Sequence, residues 1–310
     1  MTDFQVLLFY LYTPMADPEG YRDRHRVLCE SLELKGRVLV AKEGLNGTVS
    51  GTAENCERYR EALRQDPVTA EMVFKTDPVA GHVFPRLSIK VREEIVSLGL
   101  GEEDVKPWEE TGRSLSPREW RERMEQEEVI LLDGRNEYES DLGRFEGAIC
   151  PPVANFREFP DWIREHLAGA KERPILTYCT GGIRCEKLSG FLLREGFREV
   201  YQLEGGIVSY GKDETVQGEK FEGQCYVFDE RVGVAVNRAE PPKVVSRCSL
   251  CGEPSDRYVN CGFSGCNARL FLCEACQEKE GCFCKEACRE ASEVPETNEC
   301  VHDASVSASP

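Results

Sequence analysis

The sequence predicts an α/β protein of several domains, and three observations support this. Its 310 residues, 40% of them hydrophobic, can bury more than one core and should divide into about two or three domains. Strand-like and helix-like segments alternate along residues 1–215. Beyond residue 247 cysteines recur at short paired spacings, which predicts a small region organised by cysteine chemistry.

Residues 1–100 are predicted to form the first domain. Residues 4–12 are apolar and aromatic, as in a buried strand, and residues 17–36 predict a helix with Pro18 near its start and Gly36 at its end. The other predicted elements are strands at 37–41, 46–51, 71–75 and 87–92, a helix at 53–65, and a turn at Gly44 and the Asn46-Gly47 pair. This order of strands and helices predicts a ferredoxin-like (acylphosphatase-like) α+β domain.

Residues 101–115 mix Pro, Gly and Ser with charges, which predicts a linker, and a second domain follows at residues 116–215. It begins with a helix that has Ser116 as its cap and Pro117 at its first position. The further predicted elements are strands at 128–133, 147–149, 173–178 and 199–207, and helices at 156–168 and 184–195. Strands that alternate with helices predict a doubly wound parallel sheet, which binds ligands at the carboxyl ends of its strands.

The segment "LTYCTGGIRCEK" places Cys179 at such a strand end. Two glycines follow before the next helix and permit backbone conformations that other residues resist, so that successive N–H groups can point toward the sulfur. Such a cradle at a helix amino terminus lowers the pKa of a thiol and predicts a reactive thiolate. The alternative is that Cys179 is a buried structural thiol.

Several motifs resemble known proteins. "LLDGRNEYESDLGRFEGAI", "FREFPDW" and "YCTGGIRCEK" resemble the rhodanese domain over about residues 114–212. Together with "AKEGLNGTVSG" and "FPRLSIKVREEIVSLG", they make roughly residues 1–288 similar to the rhodanese-containing family of bacterial tRNA uridine hydroxylases. This resemblance implies an oxidoreductase that converts the wobble uridine, 34, to 5-hydroxyuridine with molecular oxygen as co-substrate and the tRNA anticodon region as partner.

The resemblance also implies roles for individual residues. It makes Cys179 the essential residue, whose loop consists of Thr180, Gly181, Gly182, Ile183 and Arg184. Asp133 and Arg135 then form a supporting Asp-x-Arg pair, in which Asp133 orients a hydrogen bond rather than acting as a general base. Cys185 is either a resolving thiol or a small buried residue, and Arg184 binds either a substrate anion or a nearby carboxylate.

Two other functions stay open at this stage. The same thiolate could carry a persulfide in a plain sulfurtransferase, or the domains could form a non-enzymatic RNA-binding or protein-binding adaptor. No flavin or nicotinamide motif is present, and the four histidines are not spaced for an iron site with two histidines and one carboxylate. Oxygen activation is therefore implied by the resemblance alone.

Residues 216–290 are predicted to form an extension and a cysteine-rich region. Short paired spacings of cysteine suit structural zinc, in one site or two. A disulfide cluster and an iron–sulfur cluster are the alternatives. The candidate zinc ligands are Cys248, Cys251, Cys261, Cys266, Cys273, Cys276, Cys284 and Cys288. Residues 291–310 lack a core-forming pattern and are predicted to be disordered.

The net charge of −17 argues against binding RNA through overall positive charge, so contacts must come from a local patch. Lys90 and Arg92 are two residues apart on one predicted strand, and Lys42 could approach the same groove. The apolar run near the amino terminus is far shorter than the roughly 20 residues that cross a bilayer. We therefore expect a cytoplasmic protein without a membrane segment.

Overall fold

The computed structural model describes residues 3–126, 128–266 and 268–292. The predicted disordered tail lies outside these residues from position 293 onward. Among the described helices, none combines the length and apolar character needed to cross a membrane.

The amino-terminal region is a five-stranded sheet in the order β4-β1-β3-β2-β5. Its elements are β1 Phe4–Tyr12, α1 Pro18–Ser31, β2 Lys35–Ala41, β3 Gly44–Thr52, α2 Ala53–Gln65, β4 Val73–Val79 and β5 Leu87–Val91. Leu7 and Phe9 of β1 pack with the buried side chains of both helices, so one face of the sheet is covered. The predicted ferredoxin-like order is confirmed, and β5 extends the sheet parallel to β2.

Two predicted glycine roles in this domain are wrong. The first helix ends at Ser31, and Gly36 lies in β2, where a Cβ atom would stand 2.2 Å from the carbonyl oxygen of Thr48. The Asn46-Gly47 pair lies in the middle of β3, not in a turn. A Cβ atom at Gly47 would lie 2.6 Å from the Phe9 ring, so this glycine allows close packing within the sheet.

The middle of the chain contains a four-stranded parallel sheet in the order β6-β10-β9-β7. Its elements are β6 Arg113–Leu115, α3 Pro117–Met124, β7 Ile130–Asp133, α4 Glu137–Leu142, β8 Gly143–Phe145, α5 Phe159–His166, β9 Ile175–Tyr178, α6 Ile183–Arg194, β10 Val200–Leu203 and α7 Gly206–Lys212. One apolar cluster contains Leu132 and Ile175, and another contains Leu131 and Leu176, so both faces of the sheet are buried. The doubly wound parallel sheet is confirmed.

Two local predictions for this region differ from the structure. Residues 147–149 form only an isolated bridge, between Ile149 and Leu132, and the strand just before them, β8, pairs antiparallel with β11. The last residues of the predicted linker form β6, which pairs with β10 at the sheet edge. Val105 of the same segment packs into the core of the second domain, so much of 101–115 belongs to its structure.

The carboxyl-terminal region begins with strands that extend the second domain and ends with a small hairpin and two short helices. Its elements are β11 Phe221–Tyr226, β12 Gly233–Ala235, β13 Tyr258–Asn260, β14 Arg269–Phe271, α8 Glu274–Glu280 and α9 Glu286–Glu290. β11 lies between β12 and β8 in a three-stranded sheet, whereas β13 and β14 pair with each other.

The uncovered face of the amino-terminal sheet packs on the loop that contains Cys179. Alternate residues of β1 point to this face, because successive side chains on a strand point to opposite sides. The hydroxyl of Tyr10 donates to Glu186 at 3.2 Å, and the hydroxyl of Tyr12 donates to the carbonyl oxygen of Ile183 at 3.2 Å. The first domain therefore forms a roof over the start of α6.

A buried ionic cluster joins the two domains beside this contact. The ammonium of Lys187, in α6, lies 2.8 Å from Glu43 and 2.9 Å from Glu94, and it also pairs with Asp104. The Lys187 side chain is fully buried. Although burial acts to lower it, these carboxylates raise the pKa of Lys187 above its ordinary value. Because removing Lys187 would leave its three carboxylate partners without a cation, the cluster fixes the position of α6 against the first domain.

Candidate active site

Cys179 lies directly after β9, one of the two central strands of the parallel sheet, and is only 1% exposed. The backbone N–H of Gly182 donates to its sulfur at 3.1 Å. Gly182 has a φ of +100°, a conformation that favours glycine, and this conformation turns the N–H group inward. Gly206 closes the loop from the other side, since a Cβ atom there would lie 2.5 Å from the Cys179 carbonyl oxygen.

The surroundings of Cys179 favour the thiolate. Burial acts to raise the pKa of this thiol, but a hydrogen bond from Cys185, the charge of Arg184, and backbone N–H groups together lower it to about 5. The pKa of Cys185 is raised well above its ordinary value by burial and by the neighbouring thiolate. Cys185 therefore keeps its proton at neutral pH and donates a hydrogen bond to the sulfur of Cys179.

Arg184 is held by a carboxylate that the sequence did not reveal. Its guanidinium makes two bonds to Glu139, at 2.6 and 2.7 Å, and Glu139 is completely buried. Burial acts to raise the pKa of Glu139, yet the charge of Arg184 lowers it below its ordinary value. The hydroxyl of Thr180 also points to Glu139, at 3.4 Å. Of the two interpretations of Arg184, the structure shows the local carboxylate pair.

Asp133 and Arg135 form a second buried ion pair, at the end of β7. Arg135 donates to both oxygens of Asp133, at 2.9 and 2.6 Å, and also to the carbonyl oxygen of Gly143 at 2.6 Å. Both side chains are fully buried. Within the described residues neither side chain makes a hydrogen bond to Cys179. This pair joins the end of β7 to β8, and Asp133 acts in it as a hydrogen-bond acceptor.

The first domain covers the two glycines of the loop. A Cβ atom at Gly181 would lie 3.0 Å from Leu8, and one at Gly182 would lie 2.9 Å from the hydroxyl of Tyr10. A cavity of about 40 Å³ reaches Thr180 beneath this roof. A larger cleft of about 860 Å³ opens between the domains and is lined by Tyr10, among other residues. Cys179 is thus shielded from solvent, and a large cleft lies next to its loop.

The three candidate RNA-binding residues lie at the other side of the first domain. Lys90 is on edge strand β5, and Arg92 follows that strand, with its N–H donating to Val40 of β2. Lys42 lies in the turn between β2 and β3. All three side chains are exposed. The structure places them near the same end of neighbouring strands but not in the cleft next to Cys179.

The structure brings the eight predicted zinc ligands together in two groups of four. They are Cys248, Cys251, Cys273 and Cys276 in one group, and Cys261, Cys266, Cys284 and Cys288 in the other. Within each group all sulfur atoms lie within 4.8 Å of one another. Sulfur pairs at 3.4 to 3.6 Å are near the distance of about 3.8 Å that tetrahedral Zn–S bonds of about 2.3 Å require.

These groups fit a single metal ion each. The first and third cysteine pairs along the chain share one group, and the second and fourth share the other, so the two groups interleave. Cys282 belongs to neither group. Four closely spaced thiolates are a typical donor set for Zn²⁺, and the spacing of the pairs in the sequence carries the signal for it.

Sequence reasoning missed the residues that come from distant parts of the chain. Glu139, Lys187 and Tyr10 contact the Cys179 loop or its helix. Glu139 and Lys187 lie within the quoted motifs, but those motifs do not show which residues they contact. Only Lys187 left a weak signal, as a lysine next to the apolar run that α6 buries.

Comparisons with known proteins agree with this architecture. The profile described as the UPF0176 acylphosphatase-like domain matches residues 4–95, the rhodanese-like domain matches 116–213, and the rhodanese carboxyl-terminal region matches 222–289. Two curated relatives share most of their length with this chain. A protein of Bacillus cytotoxicus is 52% identical over 286 residues, which are 92% of this chain and 88% of that protein. One of Shouchella clausii is 50% identical over 287 residues, 93% of this chain and 89% of that protein.

The parallel sheet and the cysteine loop at its carboxyl edge define a rhodanese-like domain, here joined to an acylphosphatase-like domain and a cysteine-rich region. Both relatives bear the name tRNA uridine(34) hydroxylase. At this identity and coverage, the chain belongs to the tRNA uridine(34) hydroxylase family.

Proposed function

We propose that this protein hydroxylates C5 of uridine 34 in the anticodon region of tRNA, with molecular oxygen as co-substrate and Cys179 as the essential residue. The proposal is carried by the buried Cys179 thiolate, whose pKa lies near 5 and whose loop is already formed. Family membership over nearly the whole chain supplies the substrate class. We also propose that the protein works in the cytoplasm.

The neighbouring residues prepare Cys179 for contact with a nucleobase. Cys185 and the loop N–H groups hold the sulfur as an anion, and the Arg184–Glu139 pair keeps positive charge near it. The roof formed by Leu8 and Tyr10 keeps water away from the thiolate.

Substrate entry requires the roof to move. A cavity of about 40 Å³ has room for roughly one water molecule, whereas an unstacked wobble base is several times larger. We therefore propose that tRNA binding separates the amino-terminal sheet from the loop, and that closure on the flipped base then excludes water.

Nucleoside analysis of cellular tRNA tests the proposed reaction. Cells that lack the protein should lose 5-hydroxyuridine and its derivatives, and the wild-type protein should restore them. Cys179→Ser should fail to restore them, since a serine hydroxyl stays neutral where this thiol is ionised. Cys150→Ser, which alters a half-buried thiol of the same domain, should restore modification. Restoration by Cys179→Ser would remove the thiolate from the mechanism.

A sulfurtransferase activity is the second candidate, because the loop of a rhodanese-like domain can cradle a persulfide in the same way as a thiolate. In that case Cys179 would accept sulfane sulfur and pass it to a thiol or another acceptor. Turnover of thiosulfate with cyanide at about 1 to 1,000 per second, with unchanged tRNA nucleosides in the deletion strain, would establish this function instead.

We further propose that Lys42, Lys90 and Arg92 contact the tRNA backbone. All three are exposed and lie at the same end of neighbouring strands. Replacing Lys90 and Arg92 together with alanine should weaken tRNA binding and reduce its salt dependence by up to about one logarithmic unit per lost phosphate contact. A salt series of affinities measures this, and an unchanged slope would exclude these two residues.

We also propose that each group of four cysteines holds one structural Zn²⁺. Bound zinc would supply a tetrahedral crosslink between the β13–β14 hairpin and the two short helices. The cysteines hold this region together, since its apolar cluster contains few side chains besides Val259, Leu270 and Leu272.

A further inference from the structure

Lys75 is a cation at the contact between the two domains that forms no ion pair with a carboxylate among the described residues. It lies on β4 opposite Leu8 of β1, so its side chain points to the sheet face that covers the Cys179 loop. Among the described residues no carboxylate or carbonyl oxygen binds its ammonium. The contact that the structure shows is with the Tyr10 ring, 5.1 Å from the ammonium to the ring centre.

Neighbouring cations differ from Lys75 because they form ion pairs with carboxylates. Lys212 lies 2.6 Å from Asp77 and donates to the carbonyl oxygen of Thr76 at 2.7 Å. Arg231 binds Asp229 at 2.6 Å and approaches Asp77 at 3.7 Å. Lys75 lines both the 40 Å³ cavity next to Thr180 and the 860 Å³ cleft between the domains. Within the described part of the chain, Lys75 is therefore a cation without an ion pair at the point where the cavity and the cleft meet.

The position of Lys75 is suited to an anion that arrives from outside. Burial lowers the pKa of Lys75 to about 8, although the negative charges of Cys179, Glu186 and Glu204 act to raise it. A partly buried ammonium without hydrogen-bond partners is costly, and an anionic ligand would compensate this cost. The aliphatic part of the side chain lies against Gly205, where a Cβ atom would be 3.1 Å from the Lys75 Cε atom. The ammonium is thus held in place before any ligand binds.

The cleft also offers aromatic surface. Trp108 lines it and is 43% exposed, which is unusual for a large apolar side chain. Tyr10 and Phe74 line the same cleft. Its volume of about 860 Å³ lies within the range of about 300 to 1,000 Å³ of typical ligand sites. Aromatic side chains beside a cation are the usual means of binding single-stranded RNA.

We propose that the cleft between the domains binds the nucleotide adjacent to the wobble uridine, with Lys75 on its phosphate and Trp108 stacked on its base. This proposal rests on the proposed function and adds the place where neighbouring nucleotides are held. Four carboxylates also line the cleft, at Glu71, Glu186, Glu204 and Asp213. Glu186 and Glu204 act on Lys75 and help to keep it charged. The carboxylates disfavour phosphate away from this ammonium, so that the phosphate binds at Lys75 and the uncharged base occupies the remainder of the cleft.

Salt-dependent binding tests the phosphate contact. Lys75→Met preserves the aliphatic packing and removes the charge. It should weaken binding of an anticodon stem-loop by about tenfold or more, as for a hydrogen bond to a charged group, and reduce the slope of log K against log salt by about 0.7. Lys212→Met is the matched control. It removes a cation that lines the same cleft but already forms an ion pair with Asp77. An unchanged slope for Lys75→Met, or an equal loss for Lys212→Met, would overturn the assignment.

The stacking contact has a different signature. Trp108→Leu should weaken binding by about fivefold to a hundredfold, as for loss of one base–aromatic stack, while the salt slope stays the same. Unaltered affinity for this variant would show that the base lies elsewhere. Melting temperatures of both variants should match that of the wild type, because neither change opens a core.

Two measurements separate a failure of this proposal from a failure of the proposed function. Wild-type protein that restores 5-hydroxyuridine in the deletion strain, with Lys75→Met binding tRNA normally, would refute the cleft site alone. A wild-type protein that restores no 5-hydroxyuridine would refute the function. Titration of the thiolate absorbance gives a further check. An altered Cys179 pKa in Lys75→Met, with tRNA binding intact, would mean that Lys75 serves the thiolate and not the RNA.

Discussion

Cys179 and the cysteines of the carboxyl-terminal region present the same side chain in opposite surroundings. The sulfur of Cys179 has Cys185 as its thiol neighbour and accepts hydrogen bonds from backbone N–H groups at the start of α6. In the carboxyl-terminal region four sulfur atoms surround each of two centres, within 4.8 Å of one another.

The difference lies in how negative charge is balanced. Near Cys179 the compensation comes from fixed protein dipoles and from Arg184, so the anion remains free to react. Four clustered thiolates repel one another, and only a bound cation makes the arrangement stable. Chemistry in this chain is therefore decided by the neighbours of each sulfur. Changes to those neighbours, in decreasing order of expected effect, test this comparison.

Loss of a metal ligand should have the largest effect. Cys284 lies 3.4 Å from Cys266 and 3.5 Å from Cys288, all measured between sulfur atoms. Cys284→Ser should reduce bound zinc from two ions per chain to one and unfold the surrounding segment. Structural zinc supplies an apparent 10–16 kcal/mol, roughly, of folding free energy in small domains. Elemental analysis and limited proteolysis measure both effects.

Cys150→Ser provides the control for this experiment, because Cys150 is a free thiol outside the cysteine-rich region. We expect it to keep two zinc ions. Retention of two ions by Cys284→Ser, or equal loss in both variants, would contradict the proposed ligand set.

Glu139→Gln should have the next largest effect, this time at the thiolate. It leaves the buried Arg184 without its carboxylate partner, and breaking a buried ion pair in this way costs about 3–5 kcal/mol. Glu137 lies on the same helix and is exposed, so Glu137→Gln should change stability by no more than about 0.5 kcal/mol. Urea denaturation followed by fluorescence measures the difference. Similar midpoints for the two variants would show that the pair does not hold the loop.

Cys185→Ala should change the pH dependence of the thiolate. The hydrogen bond from Cys185 contributes most to lowering the pKa of Cys179, so its loss should raise the midpoint above the value of about 5. Ultraviolet absorbance of thiolate against pH, taken as the difference from a Cys179→Ser background, measures this. An unchanged midpoint would assign the low pKa to Arg184 and the loop N–H groups alone.

The same pKa predicts a pH-dependent stability. The folded pKa of about 5 lies below the ordinary value of 9.0, so between these values the folded chain binds fewer protons than the unfolded chain. The stability of the wild type relative to Cys179→Ser should be greatest above pH 9, decrease as pH falls, and be lost near pH 5. A relative stability that is constant over this range would mean that the thiol stays neutral.

Local chemistry was the part that the sequence made predictable. Ser116 caps α3 and forms the capping box with Glu119 because the interacting groups are three residues apart. The apolar run before Cys179 likewise indicated a buried central strand, because this pattern also lies within a few consecutive residues. The two misassigned glycines show the limit of local prediction. Gly47 is needed because the Phe9 ring of another strand leaves no room for a Cβ atom.

Contacts between distant segments were not predictable from a single sequence. Glu139 and Arg184 are 45 positions apart, and Lys187 meets Glu94 across 93 positions. Nothing in the local pattern of either segment identifies the other. For the cysteines, spacing indicated the pairs, but the β13–β14 hairpin determines that alternate pairs combine. Sequence thus indicated which residue types carry the chemistry, and folding decided which of them meet.

Cys150→Ser should have the smallest effect, because this thiol lies neither in a cradle of backbone N–H groups nor in a cluster of cysteines. It is half-buried, and its sulfur donates to the carbonyl oxygen of Ala148 at 3.8 Å. Burial raises the pKa of Cys150 to about 11, so at neutral pH it is a neutral thiol. A serine hydroxyl can make the same hydrogen bond, and we expect a stability change below about 1 kcal/mol. Zinc content and tRNA modification should stay at wild-type levels.

Alkylation completes this comparison of cysteines. When the wild type is treated with iodoacetamide near pH 6, Cys179 should be modified before Cys150, although Cys179 is the less exposed of the two. The thiolate is the reactive form, and at that pH it dominates for Cys179 and is rare for Cys150. Peptide mass spectrometry gives the order. Modification of Cys150 first would mean that accessibility outweighs charge, and that the neighbours of a sulfur atom do not decide its reactivity in this chain.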